Sequence, residues 1–240
     1  MIPFLQILDL WVGYGDEAII KGVSFDVFLG TIIALIGRNG AGKSTLMKGI
    51  AGIIKTKHGT VKLQEKIITN MDPGVLIPYG LSYVAQGREC FPELTVNENL
   101  EIALLCLDIP KKMYHSRINE AFQIFPYLSK VATHPVYKLS GGLQQMLVLA
   151  MSLIQKPKCI LLDEPSLGLS QSALKNIKNV LRTFISIGGC VILIEQKPKV
   201  VFEISDYIYY LEHGKISMSG KTITFRTKPE FLNKYISIKD

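Results

Sequence analysis

Gly37-Arg38-Asn39-Gly40-Ala41-Gly42-Lys43-Ser44 follows directly on the apolar, β-branched run Thr31-Ile32-Ile33-Ala34-Leu35-Ile36. The eight residues fit G-x-x-x-x-G-K-[ST], and the run before them reads as a buried strand. A strand that delivers the chain to a glycine-rich turn, with a helix starting at its end, aims backbone N–H groups and a positive helix dipole at one point. That point suits a polyphosphate. Lys43 is placed to reach the β- and γ-phosphates, the Ser44 hydroxyl to ligate Mg²⁺, and Thr45 to add a hydroxyl contact to phosphate. The chain is therefore expected to bind a nucleoside triphosphate.

The regions on either side of this loop differ in character. Ahead of it, residues 5–12 and 23–28 alternate apolar and polar positions between glycines, which predicts antiparallel strands. Residues 60–63 and 66–68 predict a short hairpin, and residues 81–84 a buried strand leading to Gln86. From Thr95 to about Gln155 the apolar spacing turns helical. Thr95 is the expected cap of the first helix, a second spans about 113–125, and a third follows Gly142. Strands return at 159–162 and 190–194, apolar throughout as expected of parallel strands covered on both faces. A helix over about 171–187 separates them, and a terminal hairpin pairs 207–211 with 215–219. The pattern predicts an α/β nucleotide core carrying an inserted helical segment.

Two further clusters bear on chemistry. Leu161-Leu162-Asp163-Glu164-Pro165 ends a buried strand in adjacent carboxylates, where Asp163 would hold Mg²⁺ and Glu164 would act as general base toward water. Leu139-Ser140-Gly141-Gly142 precedes the third helix, with Gly142 lying 21 residues before Asp163. A serine–glycine turn at a helix N-terminus offers N–H groups, a hydroxyl and a dipole to an anion.

With these motifs together, the chain resembles the ATP-binding subunits of ABC transporters over essentially its whole length. The resemblance implies an α/β P-loop NTPase (RecA-like) core with an N-terminal antiparallel β subdomain and an inserted α-helical subdomain. The core would comprise residues 1–87 and 156–240, and the helical signature part residues 88–155. In that family two ATPase subunits sandwich two ATPs. Ser140, Gly141 and Gly142 would then face the nucleotide held by the partner, Gln86 would sense Mg²⁺ and the γ-phosphate, and Ser166-Leu167-Gly168-Leu169 would form the D-loop. Tyr14, which precedes the strand leading into the P-loop, takes the position of the aromatic that stacks on adenine, with a plain surface tyrosine as the alternative.

Three positions depart from the family pattern. Leu143 stands where glutamine is usual, Met151 where arginine is common, and Gln196 where the switch histidine contacts the γ-phosphate. A glutamine amide still donates a hydrogen bond but carries no proton charge, so hydrolysis is expected to be slower, and a surface role for Gln196 stays open. Residues 87–96 (GRECFPELTV), residues 163–169 (DEPSLGL) and Glu195-Gln196 are similar to ATPases of Liv-type branched-chain amino-acid importers. Related urea and short-chain amide importers share part of the pattern. The resemblance implies a second ATPase subunit (a heterodimer, or a homodimer), two transmembrane permease subunits and an extracytoplasmic solute-binding protein. A soluble ABC ATPase acting on nucleic acid or ribosomes, and a regulatory subunit with little turnover, are the rivals.

Bulk properties fit this picture. The 240 residues carry a formal charge of +7 and 48% hydrophobic content, with a mean hydropathy of +0.26. The lysines are dispersed and no Arg-rich or aromatic-interleaved stripe stands out, so no nucleic-acid partner is expected. No apolar run approaches the roughly 18–20 residues that span a bilayer, and residues 1–7 lack the basic flank and cleavage site of a signal peptide. The expected location is the cytoplasmic face of a membrane, as a peripheral subunit. Cys90, Cys106, Cys159 and Cys190 are scattered without metal-ligand spacing, which predicts reduced structural thiols.

Overall fold

The computed structural model describes residues 2–226. Four strands build an antiparallel sheet in the order β2-β1-β4-β5: β1 (Leu5–Val12), β2 (Ile20–Val27), β4 (Thr56–Leu63) and β5 (Lys66–Ile67). Its alternating sequence buries one face; Leu5, Ile7, Leu10 and Val12 of β1 are inaccessible to solvent. A six-stranded sheet runs β10-β9-β3-β8-β7-β6, from β3 (Ile32–Ile36), β6 (Leu81–Val84), β7 (Cys159–Asp163), β8 (Cys190–Ile194), β9 (Tyr207–Glu212) and β10 (Lys215–Lys221). All of its pairs are parallel except β9–β10. Every residue of β3, β7 and β8 is buried, because helices and the second sheet cover both faces.

The helices are α1 (Lys43–Ile50), α2 (Pro73–Leu76), α3 (Val96–Leu104), α4 (Tyr114–Ile124), α5 (Pro126–Ser129), α6 (Gly141–Leu153), α7 (Gln171–Ser186), α8 (Pro198–Ile204) and α9 (Thr222–Phe225). Helices α3 to α6 fall between β6 and β7, where the helical spacing was anticipated. Their apolar faces share a continuous core with α7, α8 and one face of the large sheet. Thr95 caps α3 in a reciprocal box with Glu98: its hydroxyl accepts the Glu98 N–H at 3.2 Å, and the Glu98 carboxylate accepts the Thr95 N–H at 2.7 Å. These bonds also hold the Glu98 carboxyl below its usual range. Helix α6 begins at Gly141, two residues earlier than its apolar spacing suggests, because the Ser140 hydroxyl caps it by accepting the Leu143 N–H at 3.4 Å.

Helix α7 buries Ala173, Leu174, Ile177, Val180, Leu181 and Phe184, a spacing that places all six on one stripe. Each fully buried aliphatic side chain of this kind is worth about 1.5–3 kcal/mol. The short helices α2, α5, α8 and α9 carry too few residues for a periodic signal and were not foreseen. Strand β10 extends to Lys221, two residues beyond the anticipated end. All four cysteines are free, and Cys159 and Cys190 stand in register on β7 and β8, both fully buried.

Candidate nucleotide site

The site forms at the carboxyl ends of β3, β7 and β8. The β9–β10 turn, His213-Gly214, has positive φ at both residues (49° and 77°), the twist a two-residue hairpin needs. It buttresses the phosphate loop, with the Gly214 N–H donating to the Ala41 carbonyl at 3.2 Å. At Gly37 a side chain is impossible, since a Cβ would sit 2.2 Å from the Leu211 carbonyl oxygen. Sequence-distant backbone thus dictates the first glycine of the loop.

A cleft of about 420 Å³ opens over the loop, lined by Asn39, Gly40, Gly42, Lys43, Ser44, Thr45, Gln86, Glu164, Gln196 and Ile19. The loop, the end of β6, the end of β7 and the end of β8 therefore converge on one space large enough for a small-molecule ligand. Lys43 is buried, and its ammonium donates to the carbonyls of Gly37 at 2.9 Å and Arg38 at 3.0 Å. Burial lowers its pKa, and the nearby Glu164 and Asp163 carboxylates oppose that shift. A desolvated cation backed by two carbonyls, beneath a ring of N–H groups, is a strong attractor for phosphate.

Glu164 takes a left-handed backbone (φ 47°) at the bend after β7 and lines the cleft. One of its carboxylate oxygens accepts the Gln86 amide at 2.9 Å, and the other accepts the Gln196 amide. Asp163 is buried beneath. Burial raises its carboxyl pKa, while hydrogen bonds from the Ser44 and Tyr83 hydroxyls pull it back. The Tyr83 hydroxyl donates to Oδ2 at 3.5 Å, and the buried Oδ1 has no partner of good hydrogen-bond geometry. Burial and the Asp163 charge in turn push the Tyr83 phenol up. An underused buried carboxylate oxygen close to a serine hydroxyl fits a hard divalent cation that completes its shell with phosphate and water. Among the described residues no group of three or more His, Cys, Asp or Glu could hold a metal by itself.

Family membership follows from the comparisons. The protein-family model for the ABC transporter matches residues 20–167. The chain belongs to the ABC transporter ATP-binding family. It is similar to the high-affinity branched-chain amino acid transport ATP-binding protein BraG of Pseudomonas aeruginosa, with 32% identity covering 93% of this chain and 95% of the relative. It is also similar to the probable branched-chain amino acid transport ATP-binding protein LivF of Archaeoglobus fulgidus, with 35% identity covering 90% and 91% of the two chains. A nucleotide-free ATP-binding cassette from an ABC transporter superposes with a TM-score of 0.86 at 27% identity, covering 97% of this chain and 98% of that one. The ADP conformation of the cassette MJ1267 gives 0.85 at 27% identity, over 98% and 99%. The protein is thus an ABC-type ATPase of P-loop fold.

Several anticipated residues lie outside the cleft of this ABC cassette. Arg38 and Ala41 contribute backbone to the loop without lining the cavity, and Asp163 sits behind it. Tyr14 lies in the β1–β2 connection, 55% exposed, with its carbonyl accepting the Glu17 N–H at 3.2 Å. Ser140, Gly141 and Gly142 stand at the start of α6 and do not line the cleft. Leu143 is half-buried against the helical core, and Met151 is partly buried against the same cluster.

Tyr83 was missed from sequence. It pairs with Leu161 in the parallel β6–β7 register. Leu161 and Asp163, two apart, share a face, so Tyr83 is on the side of Asp163. Glu195 was missed too: its carboxylate accepts the N–H groups of Gln196 at 2.9 Å and Lys197 at 3.0 Å. The Lys197 ammonium donates to the Ser166 carbonyl at 2.9 Å. Those bonds tie the loop after β8 to the one after β7, and so aim Gln196 at Glu164.

Proposed function

We propose that this ATPase energises an ABC importer of branched-chain amino acids or a related small polar solute. The observation that carries the reading is the convergence of the phosphate loop, Glu164, Gln86 and Gln196 on one cleft, in a chain similar to BraG and LivF over nine-tenths of its length. The loop N–H groups and Lys43 bind the triphosphate, and Tyr14 stacks on adenine from the exposed β1–β2 connection. Ser44 and Asp163 hold Mg²⁺, with Gln86 nearby; the ion, when bound, neutralises charge on the β- and γ-phosphates. Glu164 accepts a proton from the attacking water, and Gln196 holds the carboxylate in place for it.

Two such cassettes close head to tail, so that Ser140, Gly141 and Gly142 of one meet the γ-phosphate held by the other. Binding energy closes the dimer, and hydrolysis lets it reopen. The partners are a second ATPase subunit and two permease subunits, fed by an extracytoplasmic solute-binding protein. A cleft of about 320 Å³ beside β6 and α6, lined by Ile53, Tyr83, Glu89, Met151 and Gln155 among others, supports docking of a permease next to Gln86. Among the described residues no helix is long and apolar enough to cross a membrane, consistent with a peripheral subunit at the cytoplasmic face. Residues 1–87 and 156–240 act as the nucleotide core, and residues 88–155 as the helical signature part.

The test is reconstitution of the cassette with its membrane subunits and binding protein in ATP-loaded vesicles. Uptake of labelled leucine, isoleucine or valine that stimulates ATP hydrolysis is the expected result. Hydrolysis stimulated by urea or a short-chain amide, but by no branched-chain amino acid, would overturn the substrate class.

A further inference from the structure

Arg88 lies two residues beyond Gln86, in the connection that follows β6. Its guanidinium is packed against Gly141, the first residue of α6. A Cβ built on Gly141 would lie 2.4 Å from Nη2, 2.5 Å from Cζ and 2.6 Å from Nη1. Three near-equal distances mean that the flat face of the guanidinium covers Gly141, which leaves its N–H edge directed elsewhere. On its other flank, a Cβ on Gly168 would be 3.5 Å from Nη2. The side chain is exposed, and it forms no hydrogen bond or ion pair among the described residues.

This placement is electrostatically unfavourable as it stands. A cation sits at the positive end of a 13-residue helix, where the dipole repels it, and no carboxylate compensates. The conflict disappears if an anion joins them, because guanidinium edge and helix N–H groups then point at the same charge. The rigid fork of a guanidinium matches two oxygens of a phosphate better than any other side chain. Glycine at 141 is what allows this approach, since any side chain there would push Arg88 away.

We propose that Arg88 is a further nucleotide-contacting residue: on dimer closure its guanidinium donates hydrogen bonds to the γ-phosphate of the ATP held by the partner cassette, beside Ser140. The proposal rests on the head-to-tail sandwich described above. Arg88 thereby links the loop that carries Gln86, the signature turn and the loop after Glu164 through one cation that is satisfied only when ATP bridges two subunits.

The test uses the full chain carrying Glu164→Gln to block hydrolysis, with the companion ATPase present, and follows dimer formation by sedimentation as Mg-ATP is raised. Adding Arg88→Gln should increase the ATP concentration for half-dimerisation about tenfold or more, the loss expected of a charge-assisted hydrogen bond. Arg88→Lys should recover part of it. ADP binding to the isolated chain should be unchanged in the arginine variants, and the thermal midpoint should not fall. An Arg88→Gln dimer that assembles at the same ATP concentration as its Glu164→Gln parent overturns the proposal while leaving the sandwich intact. If the Glu164→Gln parent itself stays monomeric at saturating Mg-ATP, the sandwich reading fails, and the role of Arg88 fails with it.

Discussion

The Gln196 amide donates to one carboxylate oxygen of Glu164 across 32 residues of sequence, on the side opposite to the oxygen taken by Gln86. Both oxygens of the proposed general base thus accept from neutral amide donors. Each oxygen keeps a further lone pair with which to accept a hydrogen bond from water. Gln86 sits on the connection next to the helical segment, whereas Gln196 is anchored through Glu195 and Lys197.

A glutamine at this position cannot titrate, so residue 196 should add no inflection to the rate profile between pH 6 and 8. Gln196→His should introduce one near pH 6.5, the ordinary imidazole value. Steady-state phosphate release measured across that range distinguishes the two; identical profiles would mean that residue 196 does not act on the reacting groups.

Replacing the base removes proton acceptance while preserving shape. Glu164→Gln should lower turnover by about 10²–10⁴-fold with ATP affinity retained, so ATP-bound dimer accumulates. Near-normal hydrolysis in this variant would reassign the base.

Lys43 is the cation buried within the phosphate loop. Lys43→Ala should weaken ATP binding by roughly 10- to 10²-fold, since charge-assisted bonding worth about 1.5–3 kcal/mol is lost. Titration with a fluorescent ATP analogue measures this directly. Unchanged affinity would place the triphosphate elsewhere.

Asp163 links pH to both stability and cation binding. Its native pKa is raised above the usual value of 3.8, chiefly by burial. The folded chain therefore holds this proton at a pH where the unfolded chain has lost it. Ionised Asp163 costs stability at neutral pH, and the cost fades as pH falls through the raised pKa. Asp163→Asn should accordingly stabilise the nucleotide-free protein at pH 7, less so near pH 4, and abolish Mg²⁺-dependent hydrolysis. Denaturant melts at the two pH values check the sign.

The Thr95–Glu98 box supports the helix that enters the helical segment. Thr95→Ala should cost about 1 kcal/mol, read as a lower denaturation midpoint. The Glu98 carboxyl is held low, so its part of the box is intact above its ordinary pKa and is lost as pH falls through the lowered value. The difference between Thr95→Ala and the parent should therefore shrink in acid.

Much of the site was legible because its motifs are local. Gly37 to Thr45 follow a run too apolar to be anything but buried, and Asp163-Glu164 end another such run. Thr95 with Glu98 carries its cap within four residues, and the His213-Gly214 turn is set by two adjacent backbone preferences. The four short helices escaped because a single turn has no period to detect. Tyr83, Arg88 and Glu195 escaped for a different reason. Tyr83 and Arg88 meet residues tens of positions away, whereas Glu195 holds the N–H groups of its next two neighbours and matters only because the Lys197 side chain reaches Ser166. Neither charge nor hydropathy along the chain marks any of them.

The chain by itself specified the glycine-rich loop between a buried strand and a helix, the two carboxylates at the end of another buried strand, and where strands give way to helices, since those depend on neighbours within a turn or a strand. Tertiary structure alone decided that Gln86 and Gln196 grip the same carboxylate, that Tyr83 faces Asp163, and that Arg88 covers Gly141. Those contacts depend on which strands lie side by side and in what register, a choice made by burying both faces of a shared sheet rather than by any local preference.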